Sequence, residues 1–388
     1  MQKKLIAIAI AAALAPAAAM ADTGNINIYG RLNVSLDSQT GIRNQTSGLD
    51  VNTNSSRFGI KGTEDLGDGY SAIFQVESTV NLTGTGRGGN GNTAANSAAG
   101  ANYGVFGGQI RDTWLGLVTP LGTIQAGRLP MENHWAYDTN LFADQVGDLL
   151  TFNTNGGGAL GRANGEVLYT MPNLSGFTAN VQFYPTSSVN PCTAVSANCA
   201  VLTTPAIASS HSWGFEANYK VLDMIAMNFN YLNRNAGFDI EYKPWVLSGI
   251  MNVGSNGLIN AQYMRDKRTA TGRQAERHIW NIGGKYNVMP NGAIKAQYSR
   301  ANTATSGDAV ATAVNGLVSG PGTEANMMVF GFDYSLSKRT MVQLAYARTK
   351  NGLAANYGIN GGGHNNQMNV ITNGDSPRAF GLNVAHNF

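Results

Sequence analysis

The residues of this sequence that could do chemistry are mainly arginines that alternate with apolar residues. Arg31 has the opposite parity to Leu32, and Arg57 has the opposite parity to Phe58 and Ile60. Successive side chains of an extended chain point to opposite faces, so each stretch has one charged face and one apolar face. Guanidinium groups on a polar face attract anions and orient water without making or breaking bonds.

The sequence contains no arrangement typical of an enzyme. Covalent catalysis needs a nucleophile, a histidine and an orienting group on one face. The five histidines lie in predicted loops or near predicted strand ends, and no G-x-S-x-G elbow is present. The glycine-rich stretch 84–92 lacks the Lys-Ser/Thr pair of a phosphate-binding loop. The sequence therefore predicts no enzymatic activity, no cofactor and no metal.

Residues 1–21 have the pattern of a secretory signal peptide. Lys3 and Lys4 precede an apolar run that ends in the small-residue sequence A-M-A. A transmembrane anchor is the alternative, but the polar DTGN that follows argues against it. We expect 22–388 to form the exported protein. The formal net charge of +3 falls close to zero without the two lysines, which argues against a nucleic-acid partner.

The composition fits neither an ordinary soluble domain nor a helical membrane protein. Charged residues make up 13% and apolar residues 43% of the chain, whereas an average domain has about 25% charged residues. After residue 21, no apolar run approaches the roughly 18 residues of a membrane-spanning helix. The apolar residues must therefore be shielded from water individually, because they do not form one continuous membrane-spanning run.

The organising pattern is an alternation of polar and apolar residues, which predicts β-strands. Clear examples are 25–36, 57–62, 224–233, 258–264, 278–288, 325–335 and 341–348. Tight turns are predicted at 66–69, 120–122, 173–176, 221–223, 255–257, 290–292 and 337–339. The other connections are mostly long and rich in small polar residues: 38–55, 82–109, 130–160, 186–210, 235–241, 269–277, 305–323 and 352–376.

These turns join hairpins into about sixteen antiparallel strands, with short turns at one end and long loops at the other, which is typical of a bacterial outer-membrane β-barrel. Closure of such a barrel leaves no unpaired strand edge in lipid. The sequence therefore predicts an all-β, antiparallel transmembrane barrel over 22–388 in the outer membrane of a Gram-negative cell. The alternative is a soluble secreted β-sandwich, which would have more surface charge and less regular loop lengths.

Several stretches of the sequence resemble one family. They are IYGRLNVSLDS at 28–38, SRFGIKGTEDLGDGYSAIFQVES at 56–78, RDTWLGL at 111–117, LGTIQAGR at 121–128 and the terminal phenylalanine. Together they resemble the trimeric general porins of Gram-negative bacteria, with the nearest likeness to porins of β-proteobacteria. The resemblance implies a homotrimer. It also implies a third extracellular loop that folds into the barrel and narrows it to an eyelet, with acids on the loop opposite bases on the wall.

The resemblance assigns the basic side of this eyelet to residues of the barrel wall. It places Arg31, Arg57, Arg111 and Arg162 there, and it places Arg128 at the start of the constricting loop. Lys61 follows on the same face of its strand and adds positive charge.

Alternation supports part of this assignment. Arg162 has the opposite parity to Val167 and Tyr169, just as Arg31 and Arg57 have the opposite parity to their apolar neighbours. An arginine that faces hydrocarbon at the bilayer midplane would cost ~2–4 kcal/mol, which favours the aqueous side. Arg111 is ambiguous by alternation, and Arg128 shares the parity of the apolar residues before it. The alternative for each arginine is an interfacial position near the lipid headgroups.

The constricting loop is expected over Pro130–Leu160, and its acids are expected to form the other side of the eyelet. We favour Asp144 and Asp148, in the middle of the loop, and Asp138 is a further candidate. The Pro-Glu-Phe-Gly motif that enteric porins carry on this loop is absent. The alternative is that these acids cap turns.

Two further features concern the loops and the end of the chain. Cys192 and Cys199 are flanked by turn-forming residues, which in an exported protein favours a small disulfide over a metal site. Phe388 ends a strand in which Phe380 and Leu382 share one face, and this strand is expected to close the barrel. Its terminal aromatic resembles the signal read by the barrel-assembly machinery, and it is also compatible with an aromatic girdle.

These observations predict a general diffusion channel. Its water-filled lumen would pass ions and small hydrophilic solutes, with a weak preference for anions because the eyelet bases outnumber the acids. The alternative is a channel of the same fold that is dedicated to a sugar or a carboxylate. The expected partners are two further copies of the chain, outer-membrane lipid and lipopolysaccharide, the barrel-assembly machinery and the permeating solutes.

Overall fold

The computed structural model describes most of the chain, and most of the described residues are in strands. The described ranges are 25–42, 48–83, 110–130, 139–153, 162–184, 212–221, 224–235, 241–270, 272–306, 313–314, 317–359 and 371–388. The predicted signal peptide, the two cysteines and Asp138 lie outside these ranges. Within them, no helix combines the length and the apolar character needed to cross a bilayer.

The strands follow one another in an antiparallel order. They are β1 (Asn25–Thr40), β2 (Gly48–Thr53), β3 (Arg57–Gly67), β4 (Tyr70–Thr79), β5 (Thr113–Thr119), β6 (Gly122–Pro130), β7 (Arg162–Thr170), β8 (Phe177–Tyr184), β9 (Ser212–Val221), β10 (Ile225–Asn235), β11 (Glu241–Tyr242), β12 (Trp245–Val253), β13 (Gly257–Ala270), β14 (Arg273–Met289), β15 (Gly292–Ala301), β16 (Thr305–Ser306), β17 (Ala313–Val314), β18 (Leu317–Val318), β19 (Ala325–Ser335), β20 (Thr340–Asn351) and β21 (Arg378–Asn387). A one-turn helix, α1, covers Leu150–Asn153.

Sixteen of these strands form a closed barrel, which confirms the predicted fold. The short strands β2, β11 and β16 pair with the longer strands β1, β10 and β14, and β17 pairs with β18 in a separate two-stranded sheet. The barrel closes at β1, whose first half pairs with β3 and whose second half pairs with β21. Because every long strand is bonded along both edges, the wall leaves no unpaired backbone edge to face lipid.

The two faces of the wall differ as the alternation predicts. Ile26 and Ile28 of β1 point outward and are 67% and 63% exposed. Asn33, Ser35 and Asp37 of the same strand point inward and are buried among other polar side chains. The apolar outer face suits hydrocarbon, and the polar inner face suits water.

One predicted loop is wrong. We expected a long connection at 269–277, but β13 continues to Ala270 and β14 begins at Arg273, so that only two residues join them. Inward residues such as Asp266 and outward residues such as Lys267 are both polar at this end of the hairpin. A strand that extends past the apolar band no longer alternates in polarity, so its sequence resembles a loop.

The terminal phenylalanine completes the closure of the barrel. The backbone amide of Phe388 donates to the carbonyl of Gly30, and the amide of Gly30 donates to the carbonyl of Phe388, both at 3.1 Å. A Cβ built on Gly30 would lie 2.3 Å from Cζ of Phe388 and 2.7 Å from the carbonyl oxygen of Arg57. The ring of Phe388 therefore occupies space that exists only because residue 30 lacks a side chain.

We predict that Gly30→Ala destabilises the barrel. The added methyl must displace both the Phe388 ring and the β3 backbone, which should lower the free energy of unfolding by about 1–3 kcal/mol. Gly249→Ala is the matched control, because its Cβ would meet only the carbonyl of Ala226 at 3.4 Å. Denaturant unfolding of both variants in lipid vesicles measures the difference, and equal stability would contradict this account of the closure.

Candidate functional site

The strand pairing places charged residues of the first strands side by side on the inner face. Arg31 of β1 is directly opposite Arg57 of β3, and Glu77 of β4 is opposite Gly59, two residues along β3. Two like charges in a direct cross-strand pair repel each other. A nearby carboxylate is therefore needed to hold them on one wall.

Glu77 is the carboxylate at the centre of this wall. Its Oε1 accepts a hydrogen bond from Nε of Arg111 at 2.5 Å, and its Oε2 lies 3.8 Å from Nε of Arg57. The hydroxyl of Tyr29 donates to Oε2 at 2.8 Å. Glu77 is almost completely buried, and the two hydrogen bonds and the ion pair with Arg57 compensate for the burial of its carboxylate.

The next strands add a second acid and two more arginines. Nε of Arg162 donates to Oδ1 of Asp112 in a short hydrogen bond. Arg128 donates to the backbone carbonyl of Ile110 and to the side chain of Asn164. Arg128 thus lies beside the wall cluster and binds neutral acceptors.

Lys61 lies apart from the arginines. It is exposed, and its Nζ lies 5.3 Å from the centre of the Tyr29 ring in a cation–π contact. It is opposite Asn27, four residues before Arg31 on β1, toward the end with the short turns. Lys61 therefore adds charge to the inner face below the cluster.

Residues 139–153, which we call the lumen segment, contact inward-facing side chains of distant strands. Thr139 donates to Gln262 of β13, and the amide of Leu141 donates to Gln297 of β15, both at 3.2 Å. At the other side, the carbonyl of Asp144 accepts from Asn33 of β1 and from Asn383 of β21. The segment is thereby fastened to the inner face at several separate strands.

Apolar packing holds the same segment to the wall. Its side chains pack into a buried cluster with residues of β19, β20 and the following loop; the members from the segment are Phe142, Val146, Leu149, Leu150 and Phe152. Gly147 has φ +89°, and a Cβ on it would lie 2.3 Å from Val329. Only glycine combines this backbone conformation with this close approach.

Of the loop acids, Asp144 is the one that faces the arginines. Its Oδ2 lies 3.9 Å from Nη2 of Arg31, a distance that makes an ion pair without a hydrogen bond. Asp144 has φ +59°, a left-handed conformation that aspartate tolerates better than most residues. The carboxylate of Asp144 is therefore the acidic partner of the basic wall among the described residues of the loop.

Asp148 is inside the lumen segment. It is fully buried, and its oxygens accept hydrogen bonds from the Asn140 side chain and from the amides of Asp144 and Leu150. Burial and the nearby carboxylate of Asp144 raise the pKa of Asp148 to about 6. This geometry corresponds to the alternative that a loop acid caps turns, and it leaves Asp148 out of contact with any solute.

Lys295 of β15 fastens the lumen segment from the far wall. Its buried Nζ donates to the carbonyl of Leu141 at 2.9 Å and to Oε1 of Gln145 at 3.2 Å. The same ammonium pairs with Asp333 at 2.8 Å and lies 4.4 Å from the centre of the Phe142 ring. An ammonium that donates all three protons in this way holds its partners in one geometry.

Sequence reasoning missed Glu77, Asp112 and Lys295. Glu77 has the opposite parity to Val76, so the alternation that located the arginines could have located it. Asp112 lies at a bend before β5, where alternation carries no information. The role of Lys295 depends on a segment about 150 residues earlier in the chain, which no local pattern reveals.

A closed antiparallel barrel with an apolar exterior and a charged interior defines a membrane channel protein of the porin type. The comparisons agree with this class. The family model described as Gram-negative porin matches residues 7–354. The chain therefore belongs to the Gram-negative porin family.

Two curated relatives illustrate the similarity. The chain is 30% identical over 204 residues to the major outer membrane protein P.IB of Neisseria gonorrhoeae. This alignment covers 48% of this chain and 49% of that protein. It is 28% identical over 205 residues to the P.IB protein of Neisseria sicca, covering 49% of each. The alignments thus span about half the length of these relatives.

Solved structures share the fold at lower identity. The anion-selective porin from Comamonas acidovorans superposes with a TM-score of 0.71 at 19% identity, covering 94% of this chain and all of that chain. The trimer form of OmpT from Vibrio cholerae gives a TM-score of 0.63 at 14% identity, covering 95% of this chain and 100% of that one. At such identities the likeness concerns the fold.

We predict that Glu77→Gln destabilises the barrel by about 3 kcal/mol, because it leaves Arg57 and Arg111 without a shared counter-charge in a mostly buried position. Glu64→Gln, an exposed residue of β3, is the control and should change the stability by less than about 0.5 kcal/mol. Denaturant unfolding in vesicles measures both. If the two variants were equally stable, Glu77 would not organise the wall.

We predict that Lys295→Met loosens the lumen segment. The variant keeps the apolar stem but loses two hydrogen bonds from a charged donor, so amide hydrogen exchange within 139–153 should accelerate by about tenfold or more. Lys285→Met is the control, because Lys285 reaches Asp333 at 3.6 Å without bonding the segment. Exchange that is equally slow in both variants would assign the anchoring to apolar packing alone.

Proposed function

We propose that this protein is a general diffusion porin of the Gram-negative outer membrane. It forms a water-filled channel through which ions and small hydrophilic solutes pass by diffusion, with a weak preference for anions. The observation that carries this proposal is the arrangement of Arg31, Arg57 and Arg111 on one inner wall, with Glu77 and Asp144 as their acids. Family membership and the outer-membrane relatives support the location.

The charges of this wall support a preference for anions. Glu77 is shared by Arg57 and Arg111, so on the described part of this wall three acids, Glu77, Asp112 and Asp144, serve four ion-paired arginines. Arg31 has the longest of these pairs, and its Nε has no hydrogen-bond partner among the residues that the structure describes. The side chains of Arg31 and Arg57 are 24% and 29% exposed, whereas those of Arg111 and Arg162 are 10% and 9% exposed. Arg31 and Arg57 are therefore the proposed contacts for a permeating anion.

The lumen segment is the proposed constriction. Its hydrogen bonds to β1, β13, β15 and β21 span the interior, and its carboxylate at Asp144 lies opposite the basic wall. Fixed charges of opposite sign that line a narrow aqueous passage orient the water in it. An apolar solute would have to displace that oriented water, so the passage favours polar solutes.

We propose that the channel is a homotrimer in a membrane that contains lipopolysaccharide, inserted by the barrel-assembly machinery, which would read Phe388. The trimeric relative from Vibrio cholerae supports the oligomeric state. Planar-bilayer recording tests state and function together, because trimers insert with conductance steps in multiples of three. A small conductance that one class of solute blocks would instead identify a channel dedicated to a sugar or a carboxylate.

We predict that Arg31→Gln lowers the preference for anions. Removing one exposed charge from the narrow passage should reduce the chloride-to-potassium permeability ratio by about threefold, with a smaller effect at high salt because the charge is then screened. The reversal potential in a salt gradient measures the ratio. Lys338→Gln, in the exposed turn before β20, is the control, and an equal shift in both variants would contradict the role of Arg31.

A further inference from the structure

A second group of arginines lies on the inner face of the barrel, on strands β10 to β14. Arg234 of β10 is opposite Tyr242 of β11, and Tyr242 is opposite Arg268 of β13. In the adjoining strand pair, Asp266 of β13 is opposite Arg277 of β14. All five residues share the parity of the inward-facing residues of their strands. Three cations and one carboxylate therefore lie close together at the end of the β13–β14 hairpin that extends past the apolar band.

Arg268 takes up the carboxylate of this group. Both oxygens of Asp266 accept hydrogen bonds from it, with Nε at 2.9 Å from Oδ1 and Nη2 at 2.7 Å from Oδ2. Arg277 is only 5% exposed, and its buried Nε has no hydrogen-bond partner in the described part of the chain. A buried guanidinium without its own counter-charge is strongly unfavourable. Arg277 thus needs an anion that Asp266 does not supply.

Two buried phenol hydroxyls lie beside these guanidinium groups. Tyr242 and Tyr357 are 2% and 1% exposed, and neither hydroxyl has a hydrogen-bond partner among the described residues. The ring of Tyr242 lies 5.3 Å from Cζ of Arg268, and the ring of Tyr357 lies 5.2 Å from Cζ of Arg277. Tyr242 is also within electrostatic reach of Arg277. A guanidinium only donates hydrogen bonds and a phenol hydroxyl can donate one, so these groups can direct their protons to one shared acceptor.

The fold fixes the position of the Tyr357 hydroxyl. The amide of Tyr357 donates to Oδ1 of Asn351 and its carbonyl accepts from Nδ2 of the same side chain, both at 3.0 Å. Its ring stacks on that of Phe152 in α1, with the ring centres 4.6 Å apart. The hydroxyl is therefore held against β14 from the loop that follows β20.

Apolar residues surround the unsatisfied donors. Leu232, Met264 and Ile279 are the next inward-facing residues of β10, β13 and β14, and all three belong to the buried apolar cluster. Charges attract more strongly in such surroundings than in water. A water molecule could accept from a hydroxyl here, but it could not neutralise the charge of Arg277.

We propose that Tyr242, Arg277 and Tyr357 bind one chloride ion, which accepts hydrogen bonds from the Nε of Arg277 and from the two hydroxyls. We call these three residues the buried anion site. One uncompensated guanidinium matches one negative charge, and the burial of all three residues favours a compact ion over an organic carboxylate or a phosphate. The ion links β11, β14 and the loop after β20, and the stack of Tyr357 on Phe152 extends this link to the lumen segment. The buried anion site is separate from Arg31 and Arg57, so the inference goes beyond the proposed channel function.

Bromide gives a direct test, because it replaces chloride and scatters X-rays anomalously. Crystals of the full chain grown in sodium bromide should show an anomalous peak within hydrogen-bond reach of Nε of Arg277 and of at least one of the two hydroxyls. The peak should be absent from Arg277→Met, which keeps an apolar stem and removes the charge. Peaks at exposed positions alone, or the same peak in the variant, would indicate an adventitious ion only and would overturn the proposal.

Thermal unfolding in detergent supplies a second test that needs no crystal. At constant ionic strength, replacing gluconate by chloride should raise the unfolding temperature of the wild type, because a ligand that binds only the folded state stabilises it. Tyr242→Phe/Tyr357→Phe keeps both rings but removes both hydroxyls, and it should weaken the apparent chloride affinity by at least about tenfold. Tyr346→Phe is the matched control, since this tyrosine is 41% exposed on the outer face, and it should behave as the wild type does.

Arg277→Met separates charge from packing in the same assay. Chloride should no longer stabilise this variant, and in gluconate the variant should unfold at a higher temperature than the wild type, because the uncompensated buried charge is gone. Equal chloride dependence in the wild type and the double phenylalanine variant would overturn the proposal, and so would stabilisation by sulfate that equals stabilisation by chloride. Both tests use purified protein without a membrane potential or ion flow, so their failure would leave the proposed channel function standing.

Discussion

The constraint on which the rest of this structure depends is that no backbone hydrogen-bonding group of the wall can be left unpaired in lipid. The chain meets it by pairing β1 with β3 along one half and with β21 along the other. Arg31 lies where these two pairings meet, opposite both Arg57 and Asn387. The closure that seals the barrel thus also sets the position of the first arginine on its inner wall.

Once the wall is closed, its inner face must accommodate charges at close quarters. Arg31 and Arg57 are in a direct cross-strand pair, so Glu77 is needed beside them, and Glu77 in turn is held by Tyr29 and Arg111. The carboxylate is shared by Arg57 and Arg111, and within the described ranges Arg31 has only a long ion pair, to Asp144. An excess of positive charge on the solvent side of the wall follows from this sharing, and it is the physical basis of the proposed preference for anions.

The lumen segment is positioned by two kinds of interaction on different walls. Amide side chains of β1 and β21 bind the carbonyl of Asp144 near the arginines, whereas Lys295 binds Leu141 and Gln145 from β15. Apolar packing against β19 and β20 fills the space between these anchors. The proposed constriction is therefore held at both ends, which keeps the Asp144 carboxylate at a set distance from the basic wall.

Much of the fold follows from the sequence, because polarity that alternates every second residue reports which side of a membrane barrel a side chain faces. Alternation located the strands, the closing role of the last strand and the inward faces of Arg31 and Arg57. It failed at 269–277, since a strand that continues into water is polar on both faces. It also could not rank the loop acids: Asp144 and Asp148 are four residues apart, yet one faces Arg31 and the other caps turns. Which groups meet across the lumen, such as Lys295 with Gln145, was decided only by the tertiary structure, because barrel closure brings together residues that no local period connects.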